Sequence, residues 1–451
     1  MRKRIVVIGG GPAGLAAAKE AARLGGDVTL VEQDRPGGRA MWHSLIPSKV
    51  WLNAMNVFGE AQHFAELGLA PLDPRPNPAR ILRRISEVKQ RLGSNERQSL
   101  EKSGVKIVTG SAKFIDAQRV RVAAPDQPER ELAGDFFIIA TGSVPVFPAG
   151  VKPDGKRVLA PRMMSKLDAI PESLVMIGCG VTGAEFIYMF NQLGSRVAAV
   201  TDLERMLPRF DADISTMLET TLAERGVRFI KEQTVQKVIN TGGEVEVRLA
   251  DERVLRATHA FIAIGRRPDV KNLDIQHTSV KLSDRNGIAV NEFCQSSIEN
   301  IYAVGDVAGA PMIANLAAAQ GKLAAQHIFS RHFSDLTRKI VVEAVYAQPE
   351  VARVGMGESD ARQAAGVNLK TLRADYSEIQ KSILTCHEAG FLKVLVSNAN
   401  DQILGASAIG DHAADLLTPI AAAMRAQLPF SQLQDVIPAN PTLAELITAL
   451  K

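Results

Sequence analysis

Ile5-Val6-Val7-Ile8-Gly9-Gly10-Gly11-Pro12-Ala13-Gly14 is the stretch on which the reading of this 451-residue chain turns. Its first four residues form a β-branched run with strand character, and the glycines end that run at once. The Ala-rich stretch from Ala13 to Leu24 has helical composition, and Val28-Thr29-Leu30-Val31-Glu32 reads as a second strand. Strand, glycine turn, helix and strand in this order make a βαβ unit with parallel strands. Within it, each glycine of Gly9-x-Gly11-x-x-Gly14 has a mechanical reason. Gly9 permits the tight turn, Gly11 lets a pyrophosphate approach the backbone, and Gly14 lets helix and strand pack closely. The helix N-terminus offers N–H groups and about half a positive charge to phosphates. Glu32, closing the second strand, can accept hydrogen bonds from a ribose diol.

The same order recurs further along. Leu174 to Ile177, the turn Gly178-x-Gly180-x-x-Gly183 with its helix to Leu193, and Arg196 to Val200 form a second unit. Two such units imply two nucleotide-binding folds and not a solenoid, whose period would be about 20–50 residues. Between them lie a helical, Arg-rich region from Ala79 to Lys102 and a strand-rich stretch from Val105 to Ile139. Pro71 to Pro78 carries four prolines and reads as a surface loop. Beyond residue 337 the runs Ile340 to Ala347, Lys370 to Ala374 and Phe391 to Val396 alternate as antiparallel strands do, which marks a separate C-terminal α+β domain.

Composition excludes several classes. Fifty-three Lys and Arg against 49 Asp and Glu leave a net charge of +4, with no basic face gathered for nucleic acid. No stretch approaches the roughly 20 apolar residues of a membrane span. Met1-Arg2-Lys3-Arg4 before an apolar run imitates a signal peptide, but the run breaks at Gly9-Gly10-Gly11-Pro12. A cytoplasmic location is therefore expected. Cys179, Cys294 and Cys386 show no metal-binding or disulfide-scaffold spacing, so no metal site is expected.

Three further segments complete an ordered set. Phe137-Ile138-Ile139-Ala140-Thr141-Gly142 and Phe261-Ile262-Ala263-Ile264-Gly265 are apolar strands ending in glycine, and Ile301-Tyr302-Ala303-Val304-Gly305-Asp306 ends in Gly-Asp. From Ile5 to about Ala449 the set resembles the pyridine nucleotide–disulfide oxidoreductases, the family of dihydrolipoamide dehydrogenase, glutathione reductase and soluble transhydrogenase. The resemblance implies an α/β fold of two Rossmann-like, doubly wound, three-layer nucleotide-binding domains plus a C-terminal α+β dimerisation domain. The expected division is 1–150 and 273–337 for the FAD domain, 151–272 for the NAD(P) domain and 338–451 for dimerisation. Tyr346-x-x-Pro349-Glu350-Val351 resembles the entry to that last domain, and a homodimer follows.

By the same resemblance FAD is held at Gly9, Gly11, Pro12, Ala13, Gly14, Glu32, Gly38, Arg39, Lys49, Ala140, Thr141, Gly142, Gly305 and Asp306. NAD(P)H is held at Gly178, Gly180, Gly183, Glu185, Thr201, Asp202 and Gly265. Ile46-Pro47-Ser48-Lys49 stands where the family has its Ile-Pro-Ser-Lys segment, whose lysine lies near the flavin and pairs with a glutamate, here Glu185. Lys49 and Glu185 are the implied catalytic pair, since a cation beside the flavin stabilises the reduced ring. Where NAD users carry an acidic residue this chain has Thr201, with Asp202 beside it. Arg205 is near, as NADPH users require, but Leu203-Glu204-Arg205-Met206-Leu207-Pro208 resembles a stretch also found in NAD enzymes, which favours NADH slightly over NADPH.

Two elements of the family are missing. Its disulfide reductases place two cysteines with four residues between them before Ile-Pro-Ser-Lys, where this chain has Ala40 and Leu45 within Gly37-Gly38-Arg39-Ala40-Met41-Trp42-His43-Ser44-Leu45. Its C-terminal His-Pro-Thr-x-x-Glu is matched by Asn440-Pro441-Thr442-Leu443-Ala444-Glu445, and no histidine follows His412. Asparagine does not exchange protons near neutral pH, whereas histidine, with a pKa of about 6.5, does. The expected activity is hydride transfer from NAD(P)H to FAD and onward to a non-disulfide acceptor: a quinone, a dye-like compound, an electron carrier or oxygen. The alternatives are transhydrogenation between nicotinamides, and a flavoprotein subunit or redox sensor without turnover. An apolar face at Ala40 and Leu45, with Trp42 close by, offers an aromatic acceptor a stacking surface; His43 could donate a proton and Arg39 hold an anion.

Overall fold

Four of the five residues in Arg4–Ile8 are β-branched, and both faces of this strand are buried, as a central parallel strand requires. In the computed structural model of the protein, residues 2–70, 75–125, 127–331, 340–364 and 368–451 are described. The first half of the expected Pro71–Pro78 loop and the expected boundary at 337 and 338 lie outside them. Two units organise the chain. One comprises Met1–Pro47, Arg83–Val146 and Gly265–Thr337, the other Ser48–Leu82, Phe147–Ile264 and Arg338–Lys451.

The first four α-helices are α1 (Pro12–Arg23), α2 (Gly38–Trp42), α3 (Leu45–Glu60) and α4 (Pro78–Lys102). The first unit is built on a parallel sheet ordered Ile301–Ala303, Phe136–Ile139, Arg4–Ile8, Asp27–Glu32, Lys106–Thr109. Alternation with period two sends Ile5 and Val7 to the face covered by α1 and helix Ala314–Ile328. Val6 and Ile8 point the other way, into a core shared with the antiparallel strands Ser111–Asp116 and Arg119–Ala123. Helix on one face and sheet on the other make the three layers. The two helices over the sheet approach closely: a Cβ at Gly321 would lie 2.2 Å from the Ala13 carbonyl oxygen.

The second unit holds another parallel sheet, ordered Arg228–Ile230, Arg196–Val200, Ser173–Ile177, His259–Ile262, Val158–Leu159. Helix α5 (Val181–Gln192) follows its central strand. The same unit contains an antiparallel sheet ordered Glu343–Val345, Glu350–Gly355, Ile403–Gly410, Phe391–Ser397, Leu369–Asp375. Helix Ala413–Ala426 buries Leu416, Leu417 and Ile420 in a core with Val354, Val394 and Ala408 from that sheet. No helix among the described residues is long and apolar enough to cross a membrane.

Candidate functional site

In both glycine turns the backbone does what the spacing predicts. Gly9 has φ +102°, a conformation L side chains rarely adopt, and a Cβ at Gly14 would fall 1.8 Å from the Gly9 carbonyl oxygen. Gly178 and Gly183 repeat this, with φ +99° and a 2.0 Å approach. A Cβ at Gly11 or Gly180 would meet nothing within 4 Å, so each turn has open space at its middle glycine. Neither α1 nor α5 has a side-chain cap, which leaves their first-turn N–H groups to an external anion.

Around the first turn the polar groups suit a nucleotide. Gly10 N donates to Glu32 Oε2 at 2.6 Å and Asp34 N donates to Oε1 at 2.9 Å, fixing the carboxylate at the strand end. Burial pushes the Glu32 pKa up, against the opposing backbone N–H groups of Asp34 and Gly10. Asp306 accepts a 2.5 Å bond from the Ser143 hydroxyl, which in turn accepts from Arg266 Nε at 2.7 Å. Arg266 Nη2 and Arg39 Nη1 both donate to the Ser143 carbonyl, and Arg39 Nη2 lies 3.1 Å from Asp269. Thr141 Oγ1 donates to the Asp269 carbonyl. Gly37 N donates to Gly10 O, bringing Gly38 against Gly11. The first unit thus gathers Gly9 to Gly14, Glu32, Gly38, Arg39, Thr141 and Asp306 with Ser143 and Arg266, two residues the sequence reading did not single out. Arg266 carried a signal, since it directly follows Gly265 in Gly265-Arg266-Arg267-Pro268.

In the second unit Lys49, one turn into α3, sits 2.5 Å from Glu185 Oε1 on α5. Glu185 is buried, and its Oε1 also accepts the Tyr346 N–H at 3.1 Å. The Lys49 ammonium lies 4.5 Å from the centre of the Tyr346 ring, in cation–π range. Tyr346 is the third member of this cluster; the sequence reading placed it only as a domain entry. Burial, then Glu350 and Glu185, push its hydroxyl pKa up. At the end of Arg196–Val200, Thr201 is buried and its hydroxyl accepts the Leu203 N–H at 3.2 Å, with Asp202 exposed beside it.

In the remodelled segment Trp42, expected close to the apolar face of Ala40 and Leu45, is buried, with its indole N–H donated to the Pro36 carbonyl and the Arg35 guanidinium 4.0 Å over its ring. Its six-membered ring packs on Gly93, the one side-chain-free position on that part of α4. His43 pairs with Asp34 at 3.2 Å, and Arg39 is engaged with Ser143 and Asp269. Asn440 donates to Glu445 Oε1 at 2.8 Å, and Thr442 N donates to the same oxygen.

Residues 3–321 match the pyridine nucleotide-disulphide oxidoreductase family and residues 341–450 match its dimerisation domain. The chain belongs to that family. An NAD(P)H dehydrogenase (quinone) of Mycobacterium tuberculosis is 30% identical over 459 residues, covering 99% of this chain and 93% of its own. Dihydrolipoyl dehydrogenase 2 of Haloarcula marismortui is also 30% identical, covering 98% and 94%. Among solved structures, LpdA from Mycobacterium tuberculosis superposes with a TM-score of 0.94 at 30% identity, over 99% and 98% of the two chains. The HOCl-induced flavoprotein disulfide reductase RclA of Escherichia coli gives 0.87 at 26%, over 99% of each. The family binds FAD and NAD(P)H, so the chain is an FAD-dependent NAD(P)H oxidoreductase. Its C-terminal domain fits a homodimer.

Proposed function

We propose that this member of the family works through its flavin alone, taking electrons from NADH and delivering them to a quinone-type acceptor without dithiol chemistry. The observation that carries this reading is the pair Ala40 and Leu45, neither of which can hold or exchange an electron pair. The two buried thiols, Cys179 and Cys294, are not suited to replace them. Burial pushes the Cys179 and Cys294 pKa values up to about 12, which keeps both as inert thiols, and all three cysteines are free. Asn440 keeps the hydrogen bond to Glu445 but cannot shuttle a proton to a thiolate.

FAD, when bound, supplies a carrier that accepts a hydride and passes the electrons on. The chain's residues hold and tune it. The first turn of α1, with Glu32 and the Ser143–Asp306–Arg266 group, binds its phosphates and hydroxyls. Lys49 provides a fixed positive charge, and its pairing with Glu185 and Tyr346 means that no reorganisation is needed when charge develops. Asp202 and Glu204 are exposed next to Thr201, and Lys231 is already paired with Glu219 at 2.8 Å, an arrangement that disfavours a 2′-phosphate and so supports NADH. The name of the mycobacterial relative supports a quinone acceptor, and the residues at 40 and 45 supply an apolar side to receive it.

Anaerobic titration of the purified protein with NADH tests the reading. Bleaching by one electron pair per flavin, with no long-wavelength thiolate band, is expected. A soluble naphthoquinone then restores the oxidised spectrum and lipoamide does not. Uptake of a second electron pair, or NADH-dependent reduction of lipoamide, would overturn it.

A further inference from the structure

The residue that closes the remodelled segment is Trp42. We infer that Trp42, packed on Gly93 of α4 and capped by Arg35, is a positioning residue for the FAD site, holding Gly37-Gly38 against Gly10-Gly11 in a chain with no cysteines at 40 and 45 to close the segment covalently. This rests on FAD binding at the first glycine turn.

Several contacts converge on one side chain. The indole N–H donates to Pro36 O at 2.9 Å, so the ring spans the start and end of the segment 36–42. Lys89, on α4 one turn before Gly93, donates to the Trp42 carbonyl at 3.3 Å. A Cβ at Gly93 would stand 2.4 Å from ring atoms Cη2 and Cζ2, a collision with a rigid, buried ring. Glycine inside a helix costs about 1 kcal/mol relative to alanine, so its presence at the centre of the 25-residue α4 needs a packing reason, and the indole is that reason. The Arg35 guanidinium covers the exposed side of the ring at 4.0 Å.

The carbonyl that the indole holds, Pro36 O, belongs to the peptide that leads into the glycine pair, while Met41 packs on Gly37. Gly37 and Gly38 have φ +110° and +55°, and Gly37 N donates to Gly10 O at 2.7 Å. A Cβ on Gly38 would lie 2.9 Å from Gly11 Cα. Two successive glycines in such conformations are entropically costly to order, so something rigid must select this arrangement. Backbone held in place before the cofactor arrives binds it more tightly, because the ordering cost is not taken from the binding energy.

The test compares FAD release from the holoenzyme, followed as recovery of flavin fluorescence after dilution. Trp42→Ala and Gly93→Ala are each expected to speed release at least about tenfold, the first by loosening the segment, the second by expelling the ring. Trp42→Phe should recover most of the loss. The double variant Trp42→Ala/Gly93→Ala should release FAD no faster than Trp42→Ala, since the collision has gone. Leu100→Ala opens a cavity on the same helix, away from the segment, and should leave release within about twofold of the wild type while lowering thermal stability. If Trp42→Ala and Leu100→Ala speed release equally, or Trp42→Ala leaves it unchanged, Trp42 is ordinary core and the inference falls. A wild-type protein that binds no FAD would instead overturn the placement of the cofactor itself.

Discussion

Replacing Lys49 with methionine separates the electrostatic role of the Lys49–Glu185 pair from its packing. Glu185 is 7% exposed, whereas the Lys49 side chain is 29% exposed. Removing the lysine therefore strands a carboxylate that water cannot reach. Breaking a buried pair in this way costs about 3–5 kcal/mol in full burial. Here the Tyr346 N–H remains on the carboxylate, and the lysine end is partly wet, so about 2 kcal/mol is the expected loss. Glu185→Gln leaves the ammonium, which can hydrate and still faces the Tyr346 ring, and should cost about 1 kcal/mol or less. The double change should recover much of the deficit of Lys49→Met, because no charge is left stranded. Urea midpoints of the four proteins, followed by the fluorescence of the two tryptophans, measure these differences. Stopped-flow reduction by NADH should slow about 10- to 1,000-fold in Lys49→Met with FAD retained, the usual effect of losing one preorganised charge. Equal destabilisation by the two single changes would refute the burial argument, and an unchanged reduction rate would refute the assigned role.

Gly14→Ala places a methyl 1.8 Å from the Gly9 carbonyl, which backbone cannot yield, so loss of bound FAD or of soluble protein is expected on purification, and a yellow, stable variant would contradict the packing. Asn440→Ala should change the NADH:quinone rate less than about threefold, since asparagine transfers no proton, and a loss beyond about tenfold in steady-state assays would show a role for its bond to Glu445. His387 lies with its ring nitrogens 3.2 Å from Glu60 and 3.4 Å from Asp411, and its pairing with Asp411, more than the charge of Glu60, raises its pKa against the effect of burial. A folded pKa above the unfolded value of about 6.5 adds stability that is complete below that value and disappears as pH rises through the folded pKa. The deficit of His387→Gln should therefore be larger at acidic than at alkaline pH in thermal melts, and a deficit that grows with pH would reverse the sign.

Much of the fold was legible because its signals are local. The runs Ile5–Ile8 and Leu174–Ile177 and the glycines behind them carry period, breaker and turn in consecutive residues, and the structure returns both βαβ units at those places. The changes at 40, 45 and 440 were equally plain, because a missing thiol or imidazole is a property of residue type and no folding can supply it. The partner of Lys49 was reached only through resemblance, since 136 positions separate it from Glu185 and an isolated lysine has no period.

By itself, then, the sequence determined the two nucleotide-binding units, the family and the absence of cysteines at 40 and 45, all written in adjacent residues or in chemical identity. Only the tertiary structure decided that Trp42 packs on Gly93, that Tyr346 joins Lys49, and that Ser143 links Asp306 to Arg266. Those are contacts between distant segments. A tryptophan or tyrosine is compatible with core or site alike until the surrounding chain fills one side of its ring.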